Sequence, residues 1–201
     1  MKIWCLIIGI CMGGTAFAHG PTPQKTDESV QVSASADVVW KKIAEPCGIA
    51  KWHPEVSACD VMNDKQQTLT LKNGKKILQE VDELAAAEMR LSYRFSGEID
   101  ITALPVSSLN GRIKVAPEAG GAKITWTARY YRAFTGNEPP EGQDDESAKN
   151  AIDQFVKAGL AGLKANKSAS TSKSTFTSQW NATCVAVKNF FKEMGAKLLT
   201  V

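Results

Sequence analysis

With 201 residues and 43% hydrophobic side chains, the chain is long enough for one self-standing domain plus appendages. That size and composition exclude wholesale disorder and any need for metal or disulfide staples. Charge is unevenly divided: residues 164–201 hold six lysines and one glutamate, whereas residues 19–163 hold 17 basic and 20 acidic side chains, net −3. A mildly acidic body with no basic stripe lacks the footprint of a nucleic-acid-binding domain.

The first eighteen residues read as a secretory signal peptide. Lys2 precedes the apolar run IWCLIIGICMGG, and Ala16 and Ala18 take the small-residue positions of an A-x-A cleavage site. The run falls short of the roughly 20 residues that a membrane span needs. The expectation is an exported, periplasmic chain that starts at His19. Three cysteines then remain, Cys47, Cys59 and Cys184. An oxidising compartment permits a bridge between Cys47 and Cys59; two buried thiols are the alternative.

Residues 19–27 read as a polar leader, and the domain proper is expected over 28–163. A short strand is expected around Val30 and Val32. Ser33 or Ser35 can cap a helix whose apolar side chains are Val38, Val39, Trp40 and Ile43, and Pro46 ends it. The stretch GIAKWHPEV, residues 48–56, predicts a second short helix stopped at Pro54.

The hydrophobic period then changes to two. Leu69 and Leu71 alternate with polar residues, Asn73-Gly74 signals a hairpin, and KKILQEVDEL is the return strand. In MRLSYRF, Met89, Leu91, Tyr93 and Phe95 share a face; in KITWTARYYRAF, Ile124, Trp126, Ala128 and Tyr130 do. GRIKV repeats the pattern between them, and residues 118–121 turn. Such clean alternation means an antiparallel sheet with one wet face and one covered face.

The cover is a helix over 144–163. Ala148, Ile152, Phe155, Val156, Gly159, Leu160 and Leu163 form its apolar stripe, and Asp144, Asp145 and Glu146 suit its positive N-terminal end. Gly159 and Gly162 cost helix propensity, which is tolerable where the helix must pass close to the sheet. The fold class is therefore α+β: a curved antiparallel sheet around a long helix, with two short helices after the first strand. A space between sheet and helix is expected, lined by Trp52, His53, Pro54, Tyr93, Phe95, Trp126, Tyr130 and Phe155. Residues 164–179 read as a Ser/Thr/Lys-rich linker. In residues 180–201, Cys184, Val187, Phe191, Met194 and Leu198 form one seam of an amphipathic helix, able to fold back on the body, to meet a partner or to dock on an anionic membrane surface.

His53 sits beside Trp52 and Pro54 without an identifiable catalytic partner. No G-x-S-x-G, H-E-x-x-H, phosphate loop or paired-carboxylate signature is present, so His53 reads as wall rather than general base, and the chain as a non-enzyme. A copper site built from His19 and His53 lacks further ligands, so no metal or cofactor is expected. Glu138, Glu141, Asp144 and Asp145 are candidate partner-facing charges that could steer a basic protein.

The order of elements resembles the helix-grip fold of the START/Bet v 1-like (SRPBCC) superfamily, often labelled polyketide cyclase/dehydrase and lipid-transport proteins. The resemblance spans residues 28–163 and rests on Trp40, Ile43, Gly48, Trp52, His53 and Pro54, on RLSYRF and AKITWTARYY, and on the final helix. It is similar above all to the exported MxaD-type branch of accessory proteins of methanol oxidation. That likeness implies a non-enzymatic role promoting contact between methanol dehydrogenase and its cytochrome c. The wider family implies a carrier of a small hydrophobic ligand held between sheet and helix. Neither resemblance extends to the tail beyond residue 164.

Overall fold

The computed structural model describes residues 20–165. The expected signal peptide, His19, the expected linker beyond 165 and the expected helical tail with Cys184 lie outside the described residues. The chain runs β1 (Gln24–Val32), α1 (Ala36–Ala44), α2 (Ile49–Trp52), β2 (Val56–Val61), β3 (Gln66–Leu71), β4 (Lys76–Ala85), β5 (Arg90–Ser96), β6 (Val106–Glu118) and β7 (Gly121–Arg132). A long helix, α3, follows over 145–165. The strands form one seven-stranded sheet in the order β1-β7-β6-β5-β4-β3-β2, every neighbouring pair antiparallel. This is the helix-grip architecture that the resemblance implies.

The turns fall where backbone freedom permits them. Gly74 (φ 79°) reverses the chain between β3 and β4, and Gly120 (φ 81°) does so between β6 and β7. Alternation then sorts the side chains. Leu69, Ile77, Tyr93, Phe95, Leu109, Ile113, Ile124 and Trp126 are buried on the concave face with Ala148, Ile152, Val156 and Leu160 of α3. A bulge between Val81 and Glu83 absorbs one residue, so that Leu84 pairs with Leu91 as Val81 pairs with Tyr93.

Two expectations are corrected. Residues 24–27, read as polar leader, belong to β1. Their polarity conceals a strand because Thr26 is buried and satisfied: its hydroxyl donates to Asp153 of α3 (2.5 Å) and bonds the Tyr130 hydroxyl (3.1 Å). Val38, placed on the apolar face of the first helix, is exposed; the buried stripe is Ala36, Val39, Trp40 and Ile43, and a 3.6-residue period leaves Val38 off it. Ser35 takes the N-cap position of α1 but makes no side-chain capping bond.

Cys47 and Cys59 are joined by a disulfide that ties the turn after α1 to β2, with Cα atoms 5.4 Å apart. Pro46 follows the end of α1, and Cys47 adopts a left-handed backbone (φ 54°) that reverses the chain into α2. The turn delivers Trp52 and His53 beneath α3.

The two glycines of α3 mark where it crosses that segment. A Cβ at Gly162 would lie 1.9 Å from the Trp52 carbonyl oxygen and 3.0 Å from Pro54 Cδ. A Cβ at Gly159 would lie 2.4 Å from Trp126 Cζ3 and 2.7 Å from His53 Cδ2. Replacing an exposed helical glycine by alanine ordinarily stabilises by about 1 kcal/mol. Gly162→Ala is expected to do the reverse, costing roughly 1–3 kcal/mol through overpacking against backbone that cannot rotate away. Urea unfolding of the variant against the parent checks the sign.

Candidate functional site

α2 ends on His53, whose backbone N–H caps the helix by donating to the Ile49 carbonyl (2.8 Å). This aims the imidazole inward, where it is 2% exposed. Nδ1 accepts the Glu55 backbone N–H (3.1 Å), so the proton resides on Nε2, which donates to the Phe155 carbonyl of α3 (3.0 Å). Both ring nitrogens are thus occupied. Burial pushes the His53 pKa down from 6.5 to about 4, against the opposing effect of the Phe155 bond.

Aromatic rings surround the imidazole. Phe155 lies over it at 4.1 Å between centroids, and Trp126 meets it edge-on at 5.9 Å. Trp52 and Phe155 each reach Trp126 edge-on, at 5.9 and 6.0 Å. The Trp126 indole N–H donates to the Tyr93 hydroxyl (3.0 Å), and burial holds that phenol above its ordinary pKa. Phe95 packs on Tyr93 at 5.9 Å. Tyr93 can occupy this place because Gly111 opposite has no side chain; a Cβ there would lie 2.1 Å from the Tyr93 ring.

Of the eight residues expected to line a space between sheet and helix, six, Trp52, His53, Tyr93, Phe95, Trp126 and Phe155, instead pack on one another as one continuous cluster. Tyr130 is buried apart from it, in the polar chain with Thr26 and Asp153. Pro54 is exposed and sits below Gly162.

The cluster borders an open groove. Between α3, the β3–β4 turn and residues 103–104 lies a cavity of about 370 Å³. Its apolar lining includes Leu71, Leu104, Ala151, Phe155 and Ala158, and Glu55 and Lys72 also border it. Ala151, Gln154, Phe155 and Ala158 stand on one helical face, where two alanines leave room beside Phe155. Of these, sequence reasoning found Phe155 alone. Ala151 and Ala158 carry no signal beyond good helix propensity, and Leu104 sits in a connection without periodicity.

Of the four candidate partner-facing acids, Glu138 and Glu141 are exposed. Asp144 accepts the Ser147 backbone N–H (2.7 Å) at the start of α3, a bond that holds its carboxyl below the usual range. Asp145 pairs with Arg132 (3.2 Å), which also donates to the Phe134 and Gly136 carbonyls. Asp144 and Asp145 thus anchor the segment between β7 and α3. The reading that the body has no basic stripe is corrected by the sheet register: Arg112, Lys114, Lys123 and Arg129 come together on the convex face of β6 and β7. They are dispersed in sequence, and only antiparallel pairing unites them. Among the described residues, no group of three or more His, Cys, Asp or Glu side chains could hold a metal, and no helix is long and apolar enough to cross a membrane.

Comparison with known proteins agrees with this architecture. Residues 23–166 match the family described as polyketide cyclase / dehydrase and lipid transport. Among solved structures, an uncharacterised protein from Bacillus thuringiensis superposes with a TM-score of 0.62 at 18% identity, covering 71% of this chain and 98% of that one. The Zhui aromatase/cyclase from Streptomyces sp. R1128 gives 0.57 at 16%, covering 72% and 93%. Ara h 8.0201 gives 0.56 at 14%, covering 72% and 97%. At these identities the likeness concerns the fold. No curated protein matches the chain significantly.

The buried imidazole makes stability pH-dependent. Between pH 6.5 and about 4 the unfolded chain takes up a proton that folded His53 refuses. Stability present above pH 6.5 is therefore lost as pH falls toward 4, by on the order of 3 kcal/mol from this group. Urea unfolding at pH 7.0 and 4.5 measures the loss, and His53→Asn, which titrates nowhere in that window, is expected to flatten this part of the profile.

Proposed function

Since the chain belongs to the polyketide cyclase/dehydrase and lipid-transport family, we propose that it is a non-enzymatic binding protein for a small apolar molecule with aromatic character. The ligand enters the groove beside Phe155 and packs on that ring and the Ala151–Ala158 face. The observation that carries this reading is the division of labour between His53 and the groove. The histidine has both nitrogens occupied and a pKa near 4, so at neutral pH it has no free base to offer, while the adjoining groove is apolar at its floor and charged only at Glu55 and Lys72.

An exported location is part of this proposal; the signal-like N-terminus and the Cys47–Cys59 bridge support it. A second reading is the accessory role in methanol oxidation, promoting contact between methanol dehydrogenase and its cytochrome c. The resemblance around Trp52-His53-Pro54 suggests it, and unpaired charge on the sheet suits a protein–protein contact.

Titration with the neutral apolar probe N-phenyl-1-naphthylamine, read by quenching of the tryptophans beside Phe155, tests the groove. Ala158→Trp fills it from the helix side and is expected to weaken binding at least about tenfold, roughly 1.4 kcal/mol, with an unchanged melting temperature. Probe binding equal in parent and variant overturns the assignment.

A further inference from the structure

The convex face of the sheet has a charge pattern that the groove does not explain. The chain has five arginines. Arg90 pairs with Glu83 and Glu88, Arg94 with Glu80 and Asp82, and Arg132 with Asp145. Arg112 and Arg129 have no ion-pair partner among the described residues, and neither have Lys114 and Lys123. All four are exposed. Register makes them one row: Arg129 stands opposite Asn110, Arg112 opposite Thr127, Lys114 opposite Thr125 and Lys123 opposite Ala116. Successive cations are thus neighbours along a strand or diagonally across the pair, at about 7–8 Å. The row is roughly 20 Å long, six residues of strand. Asn110, Arg112, Thr127 and Arg129 border a shallow depression of about 440 Å³, with Lys25 and Asp82 at its edges.

The surroundings of the row narrow its partner. On one side lies β5, where Arg94 stands opposite Asn110 and Arg90 opposite Lys114, both paired with Glu80, Asp82 and Glu83 of β4; on the other lies Asp27 of β1, paired with Lys25, and Glu118 closes the β6 end. A broad, uniform anionic surface such as a lipid bilayer would also have to lie over this internally paired border, which offers it no free cation. A narrow row of carboxylates on a protein would meet the cations and avoid the border. The row carries no exposed large apolar side chain apart from Tyr131 near its end, so the contact is electrostatic and reversible. Residues 164–201, with six lysines and one glutamate, do not complement the row in charge.

We propose that the β6–β7 face is a docking surface for an acidic patch on a partner protein, with Arg112 and Arg129 as forked carboxylate receptors and Lys114 and Lys123 extending the row. It is independent of the ligand groove, which opens on the far side of the sheet, so either assignment can fail without the other.

A ten-residue peptide of alternating glutamate and threonine is a suitable probe, because an extended chain spaces alternate carboxylates at about 7 Å. Zero-length carbodiimide coupling to the full chain is expected to join peptide carboxylates to Lys114 and Lys123. The double variant Arg112→Glu/Arg129→Glu is expected to weaken peptide binding at least about tenfold and to abolish those cross-links, while Lys76→Glu leaves both intact. Urea unfolding that matches the parent shows that the double variant remains folded. Binding in the parent is expected to fall as salt is raised to 0.5 M. Cross-links confined to the lysines of residues 164–201, an unchanged affinity in the double variant, or tighter binding to phosphatidylglycerol vesicles than to the peptide would overturn the proposal.

Discussion

The bond from His53 Nε2 to the Phe155 carbonyl determines how the long helix lies on the sheet. A helical carbonyl is normally sheathed by the side chain four residues on. At α3 that residue is Gly159, and a Cβ there would stand 2.9 Å from Nε2. Its absence opens a window through which an imidazole from another element reaches the helix backbone. The surroundings then demand a neutral ring, because a charged imidazolium among Trp52, Trp126 and Phe155 would be desolvated with no counter-ion. Gly162 repeats the device at the next turn, against the Trp52 carbonyl. Each glycine costs about 1 kcal/mol of helix propensity. Burial of the aromatic cluster offsets that cost, since one large side chain removed from water contributes roughly 1.5–3 kcal/mol.

This clamp also decides which groups remain accessible beside it. His53 is engaged at both nitrogens, Nδ1 by the Glu55 N–H and Nε2 by the Phe155 carbonyl, so in this structure its ring braces the helix. What the clamp leaves exposed is its flank. Phe155 faces His53 on one side and the groove on the other, and the alanines at 151 and 158 keep the helix low beside it. The residue that joins strut to groove is therefore a phenylalanine, whose contribution is shape and apolar area.

The sheet was legible in the sequence because its alternation is strict: period two over Leu91–Phe95 and Ile124–Tyr130 leaves little choice of register, since a one-residue slip would expose Tyr93 and Trp126. The long helix was legible from its stripe, and Gly159 and Gly162 announced a close crossing without naming what they cross. Three things were hidden. Residues 24–27 looked like a leader because Thr26 is buried by virtue of a partner 127 positions away. The groove depends on alanines, which look alike whether they make room or merely favour a helix. The basic row is assembled by pairing β6 with β7, and no window along the chain contains it.

The same alternation that buries the aromatics assembles the cations. On β6, Leu109, Gly111 and Ile113 face inward, so Asn110, Arg112 and Lys114 must face out; on β7, Trp126 and Ala128 inward put Thr127 and Arg129 outward. The body's net charge of −3 conceals this, because it averages over surfaces that a partner meets one at a time. The acids lie elsewhere: those of β4 are paired with Arg90 and Arg94, and around the start of α3 Asp144 caps and Asp145 pairs with Arg132, while Glu138, Glu141 and Glu146 stand exposed. Acids paired within the domain contribute little free field, whereas the four cations of β6 and β7 have no ion pair among the described residues. What a partner meets on the β6–β7 face is thus set by the charges left unpaired there, and the sign of that face is opposite to the net charge of the body.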